Sequence, residues 1–175
     1  MTPAEARTLI AHPSLKQGRP RAWADLGCGR GTFTLALAAL IPDGSTIHAV
    51  DADHAALAAL PRTSHRVTIV PHVGDFTAAP WPGHGLDGVL MANALHFVPN
   101  QDAFLETLVA AMEEPRLLLI EYDTDTANQW VPFPLSRQTV ARRLANAGLG
   151  SVIDLGRRAS VFRRAELYAI LATAG

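Results

Sequence analysis

The chain has 175 residues, of which 49% are hydrophobic and 18% charged, with a net charge of -1. That length suits one domain with its own core, and the composition excludes a disordered chain. The near-neutral charge argues against a broad electrostatic footprint for nucleic acid or an acidic membrane, and a single cysteine, Cys28, excludes an internal disulfide framework.

No apolar run is long enough to span a bilayer, and the N-terminal stretch lacks the basic-then-apolar order of a secretory signal. A reducing cytoplasm is the expected setting, with no membrane and no nucleic acid as partner.

Residues 1–20 read as a short helical segment ended by Pro13, too brief for a second domain, and residues 21–175 read as the single domain. From there apolar strands alternate with helices. Strands are expected at 21–25, 46–51, 66–71, 86–92 and 116–122, and helices at 32–41, 53–60, 101–112 and 137–147.

In the helix after Asn100, Phe104, Leu105, Leu108, Val109 and Met112 share one stripe and Asn100 can cap it. The helix after Ser136 carries Val140, Leu144 and Ala147 on one side, with Gly148 just beyond its end. Strands apolar on both faces, such as residues 117–120, suit a parallel sheet covered by helices on both sides. Residues 151–156 read as a strand, and residues 166–173 as a strand or a helix, which periodicity leaves open. If both are strands, the short basic stretch between them makes them antiparallel. One antiparallel strand in an otherwise parallel sheet is therefore expected.

The densest signal is the first strand–loop–helix junction. Asp25 closes the strand, and Gly27, Gly29 and Gly31 form a tight loop that leads straight into a helix. Such a junction presents backbone N–H groups and a helix N-terminus to a ligand. In an open parallel sheet, ligands bind beyond the carboxyl ends of the strands. Asp51 ends the second strand, placed to accept from two ribose hydroxyls. Gly74 and Asp75 follow the third, Asn93 the fourth, and Glu121, Tyr122 and Asp123 close the fifth.

Arg30 is the one cation expected near this slot. A dinucleotide pyrophosphate wants N–H donors and is repelled by carboxylates. A ligand with an amino group, a sulfonium, a ribose and an adenine wants acceptors. The glycine spacing is also G-x-G-x-G, with Thr32 where a dinucleotide loop has its last glycine.

These segments, DLGCGRG, AVDAD, GDF, LMANALHFV and LLLIEYD in that order, resemble the class I S-adenosylmethionine (SAM)-dependent methyltransferases over about residues 20–175. The resemblance implies an α/β fold, a Rossmann-like three-layer sandwich. Its seven-stranded sheet has the order 3-2-1-4-5-7-6, with the last strand in sequence antiparallel.

It also implies SAM as cofactor. Asp25 would help hold its amino acid end, over the loop of Gly27, Cys28, Gly29 and Gly31. Asp51, with Ala52 beside it, would take the ribose hydroxyls, and Asp53 matches a position near the adenosine in some relatives. Asp75, after Gly74, would accept from the adenine amino group, with Phe76 offering its N–H and ring. Asn93 falls beside the methionine part.

His96, in NALHFV, falls on the expected substrate side, as a substrate contact or base or as a packed or capping histidine. Trp130 and Phe133, in NQWVPFPL, form an apolar wall for an acceptor or staple a proline-rich loop. Tyr122 belongs to the acceptor set, with Glu121 and Asp123 as further contacts or strand-end polar groups. Cys28 reads as a small loop residue.

His12, His48, His54, His65, His72 and His84 lie apart without paired metal-ligand spacing, so no metal site is expected. Arg157, Arg158, Arg163 and Arg164 read as a solvated hairpin, and Phe162 alone gives thin support for RNA stacking.

The favoured function is methyl transfer to a small-molecule acceptor, in an open pocket or one completed by a second copy in a homodimer. The alternatives are a SAM-binding subunit without turnover and, further off, a nicotinamide oxidoreductase.

Overall fold

The computed structural model describes residues 1–83, 85–159 and 165–175, so His84, Phe162, Arg163 and Arg164 lie outside it. In chain order the elements are helices α1 (Pro3–Ile10) and α2 (Pro13–Lys16), strand β1 (Ala22–Leu26), α3 (Thr32–Ala38), β2 (Thr46–Asp51), α4 (His54–Ala58), β3 (Thr63–Ser64), β4 (Val67–Val73) and β5 (Gly88–Ala92). A single 3₁₀ turn (Leu95–Phe97) follows, then α5 (Gln101–Ala110), β6 (Arg116–Tyr122), α6 (Arg137–Asn146), β7 (Ser151–Ala159) and β8 (Glu166–Thr173).

The strands form one sheet in the order β3-β4-β2-β1-β5-β6-β8-β7. Leaving out β3, this is the expected 3-2-1-4-5-7-6 order. Residues 166–173, open between helix and strand, form β8, which runs antiparallel to both β6 and β7.

The expected count of seven strands, one antiparallel, is corrected by β3, which pairs antiparallel with β4 at the sheet edge. His65 and Arg66 turn between them with φ of 49° and 59°. Positive φ at both central residues is the signature of a type I′ hairpin, usually written Asn-Gly. The pair His-Arg carries no such signal. A second correction lies at the N-terminus. α1, closed by a capping box of Thr2 and Glu5, ends at Ile10, and Pro13 opens α2 rather than stopping a longer helix.

Alternation along β6 shows the layering. Leu117 and Leu119 face a core made with Phe104, Leu105 and Leu108 of α5 and with Val140 and Leu144 of α6. Leu118 and Ile120 face the other core, with Leu9 and Ile10 of α1 and Phe33 and Leu37 of α3. Burial on both faces explains why the central strands read as continuous apolar runs. Because these strands pair in parallel, the carboxyl ends of β1, β2, β4, β5 and β6 lie at one edge of the sheet.

Candidate functional site

The glycine loop is tied to β2. The N–H groups of Gly27 and Cys28 both donate to Val50 O, at 2.9 and 3.1 Å. Gly29 N–H donates to Asp51 Oδ2 at 2.7 Å, and Asp53 N–H to Asp51 Oδ1 at 2.9 Å. Each Asp51 oxygen therefore holds one backbone donor and keeps a lone pair for a ligand hydroxyl.

Gly31 caps α3 with φ of 76°. A Cβ there would fall 2.0 Å from Leu60 Cδ2, so packing as well as backbone geometry requires glycine. At Gly27 a Cβ would meet Ala94 Cβ at 2.8 Å and Phe76 Cε1 at 3.2 Å, whereas at Gly29 nothing lies within 4 Å. The loop thus presses on the protein at Gly27 and Gly31 and leaves open space over Gly29.

Asp25 is 1% exposed. Its Oδ2 accepts from Thr34 Oγ1 of α3 at 2.5 Å, and its Oδ1 is buried with no partner among the described residues. Burial, helped by the nearby charge of Asp51 and opposed by the Thr34 hydrogen bond, pushes its carboxyl up to about 7. Asn93, just past β5 with φ of 54°, likewise has a buried Oδ1 without a donor among the described residues. The same burial, with Asp25 and Asp51 close by, pushes the Cys28 thiol well above its usual range, which suits a loop residue and not a nucleophile.

Ala52 is exposed beside Asp51, and Asp53 spends its Oδ1 on the N–H groups of Ala55 and Ala56 as the cap of α4. Asp75 Oδ1 accepts from the Thr77 N–H and hydroxyl, which holds its pKa below the usual carboxylate value. Its Oδ2 has no partner among the described residues. Phe76 lies against Gly27, and its carbonyl accepts from Trp81 Nε1 at 2.7 Å. A cavity of about 410 Å³ opens at Gly74 and Asp75 and runs along Val50, His72 and Trp81. It adjoins the glycine loop without including it.

At the other end of the slot, His96 sits in the 3₁₀ turn and is 2% exposed. Its Nδ1 lies 2.7 Å from Glu121 Oε2, and its backbone N–H donates to Glu121 Oε1 at 3.2 Å. A carboxylate only accepts, so Nδ1 carries the proton of this bond. The ring lies 4.3 Å from Phe97 and 6.1 Å from Tyr122, centroid to centroid.

His96 O accepts the Phe133 N–H at 3.0 Å, and Gln101 Nε2 bridges Leu95 O and Phe133 O, so the 128–135 loop is sewn to the His96 turn. Phe97, Phe133 and Trp130 remain 49%, 40% and 73% exposed. Phe133 is thereby brought beside His96, while Trp130 projects from a turn made by Asn128. Asp123 is spent on the Arg137 N–H and on Arg157, so it is a strand-end anchor and not a free contact. Arg157 and Arg158 are paired with Asp123 and Glu5.

Two features escaped the sequence reading. Thr34, the partner of Asp25, is one of two threonines in the helix after the loop, and only its position three residues past Gly31 marks it. Glu121 was visible as a strand-end carboxylate, but its bond to His96 spans 25 positions.

A methyltransferase-domain family model matches residues 24–114. No curated protein matches the chain in sequence. Among solved structures, the fold is shared with the magnesium protoporphyrin IX methyltransferase ChlM of Synechocystis PCC 6803, solved with bound SAM (16% identity, TM-score 0.68, 98% of this chain and 77% of that one). It is shared with a Burkholderia thailandensis 1,6-didemethyltoxoflavin-N1-methyltransferase (20% identity, TM-score 0.69, 98% and 77%). It is shared also with a SAM-dependent methyltransferase from Aquifex aeolicus (17% identity, TM-score 0.62, all of both chains).

Proposed function

From the premise that this chain belongs to the methyltransferase-domain family, we propose that it transfers the sulfonium methyl of SAM to a small-molecule acceptor seated beside His96. The observation that carries the reading is a shortage of donors. At one edge of the sheet, Asp25 Oδ1 and Asn93 Oδ1 are buried without a partner among the described residues. Buried acceptors without donors are costly, on the order of 1–3 kcal/mol each. An amino acid end with a cationic ammonium satisfies them, and a pyrophosphate does not.

The residues fit the cofactor elsewhere as well. Asp51 has the lone pairs for two ribose hydroxyls, Asp75 Oδ2 for an adenine amino group, and Phe76 an apolar face. The space over Gly29 admits a ligand against the backbone, with Cys28 and Gly31 fixing the loop's course and Gly74 turning the chain after β4. SAM supplies a methyl group already activated by positive sulfur. The protein's task is alignment, which contributes on the order of 7–11 kcal/mol.

His96 is the base of this reading and a substrate contact. Glu121 holds Nδ1–H, so Nε2 takes the proton of an acceptor that arrives protonated, and the carboxylate then stabilises the imidazolium. Tyr122, Phe133 and Trp130 supply the acceptor's apolar surroundings. The same chain could bind SAM without turnover, and one experiment separates the two. Incubating it with methyl-labelled SAM and fractionated extract should label a low-mass fraction. Binding of S-adenosylhomocysteine (SAH) with no label in any fraction would establish the non-catalytic alternative. Glu121→Gln should slow that labelling, since it removes the carboxylate that orients His96 and stabilises its imidazolium.

A further inference from the structure

Six histidines read as scattered in sequence, yet two of them meet. His48 of β2 and His72 of β4 lie on neighbouring parallel strands, with His48 opposite Val70 and Val50 opposite His72. Residues of the same parity share a face, so both imidazoles leave the sheet on one side. His48 Nδ1 lies 3.0 Å from His72 Nε2. The rings are tilted by 37° with centroids 5.2 Å apart, so nitrogens meet rather than faces.

Two such nitrogens share one proton: one donates and the other accepts. Burial lowers the proton affinity of both rings, and for His48 the neighbouring imidazole adds to it. Imidazole ligates metal ions through the lone pair of a ring nitrogen.

Metal–imidazole bonds of about 2.0–2.1 Å allow two nitrogens 3.0 Å apart to bind one ion with a nitrogen–metal–nitrogen angle near a right angle. That bite suits tetragonal or octahedral geometry better than tetrahedral. We infer that His48 and His72 form a two-imidazole chelate for an exchangeable divalent first-row metal, copper(II) ahead of nickel(II) and zinc(II).

No proton has to leave on binding, because the shared proton moves to the outer nitrogen of its own ring. Gly83 packs over His48, where a Cβ would lie 2.8 Å from Cδ2, so the ring's position is restricted. His72 lines the cavity of about 410 Å³, which gives water room to complete the coordination. Among the described residues no cluster of three or more His, Cys, Asp or Glu could hold a metal, so the site is open and its metal exchangeable. The Asp75 carboxylate lines the same cavity.

The test uses the full chain stripped with a chelator. Copper(II) electron paramagnetic resonance should show one ion per chain with hyperfine coupling to two imidazole nitrogens. By calorimetry with nickel(II), His48→Gln and His72→Gln should each lower affinity at least about tenfold, a loss that even a supporting partner's removal brings to metal sites. The exposed His54→Gln and His65→Gln should leave it unchanged. No bound ion, or binding that survives both substitutions, overturns the assignment. The copper spectrum of the unaltered chain decides the matter alone if either variant fails to fold.

Discussion

At the glycine-loop end of the slot, the ligand-facing groups are backbone or short side chains held by other backbone. Gly27 and Cys28 hang from Val50 O, Gly29 hangs from Asp51, and Gly31 is wedged against Leu60. At the His96 end one buried pair, His96–Glu121, supports a rim of aromatics that stay exposed at Phe97, Trp130 and Phe133. The first end is shaped before any ligand arrives, and the second offers surface with few fixed polar groups. This difference suits a ligand of one chemistry at the first end and a flat apolar one at the second. It also predicts where substitutions damage the fold and where they touch binding alone.

The largest effect should come from filling the wedge. Gly31→Ala combines left-handed backbone strain with a clash against Leu60, and should cost about 2–4 kcal/mol in urea unfolding. A wild-type midpoint would mean the loop is not fixed as described. Next is Asp51→Ala, which removes the ribose acceptor and the tether of Gly29. SAH affinity should fall by about 1.5–3 kcal/mol, ten- to a hundredfold.

A third effect is graded by pH. Asp25, whose carboxyl burial pushes up to about 7 from the usual aspartate value of 3.8, holds its proton more firmly in the folded chain. Its contribution to ligand-free stability is therefore full below the unfolded value and lost as pH rises through about 7. Binding of an ammonium-bearing ligand favours the ionised carboxylate, so SAH affinity should drop roughly tenfold per pH unit below that point. Asp25→Asn should flatten both profiles. The smallest effect belongs to the exposed rim. Trp130→Ala should change unfolding and SAH affinity by less than about 0.5 kcal/mol while raising KM for the acceptor. A loss of stability there would place Trp130 in the fold rather than at the mouth.

The two ends also differed in how far the sequence exposed them. The cofactor half was readable because its determinants are local. Asp25 to Gly31 is one contiguous junction, and Asp51, Asp75 and Asn93 each stand at a strand end that hydrophobic runs announce. The strand order followed from the family resemblance, and only β3, with its unmarked His65-Arg66 turn, was missed. The acceptor half depends on long-range meetings. Nothing at His96 announces Glu121, and the strand spacing that brings His48 against His72 is set by sheet register, which no local pattern encodes. Trp81, whose indole ties the loop after Phe76, was likewise invisible because its partner is a backbone carbonyl.

The most direct test is isothermal calorimetry of the folded chain with SAH at neutral pH. Saturable one-to-one heat, weakened ten- to a hundredfold or so by Asp51→Ala, is the predicted result. A chain that unfolds cooperatively yet gives no heat with SAH, or binds it equally well without the Asp51 carboxylate, would contradict the account.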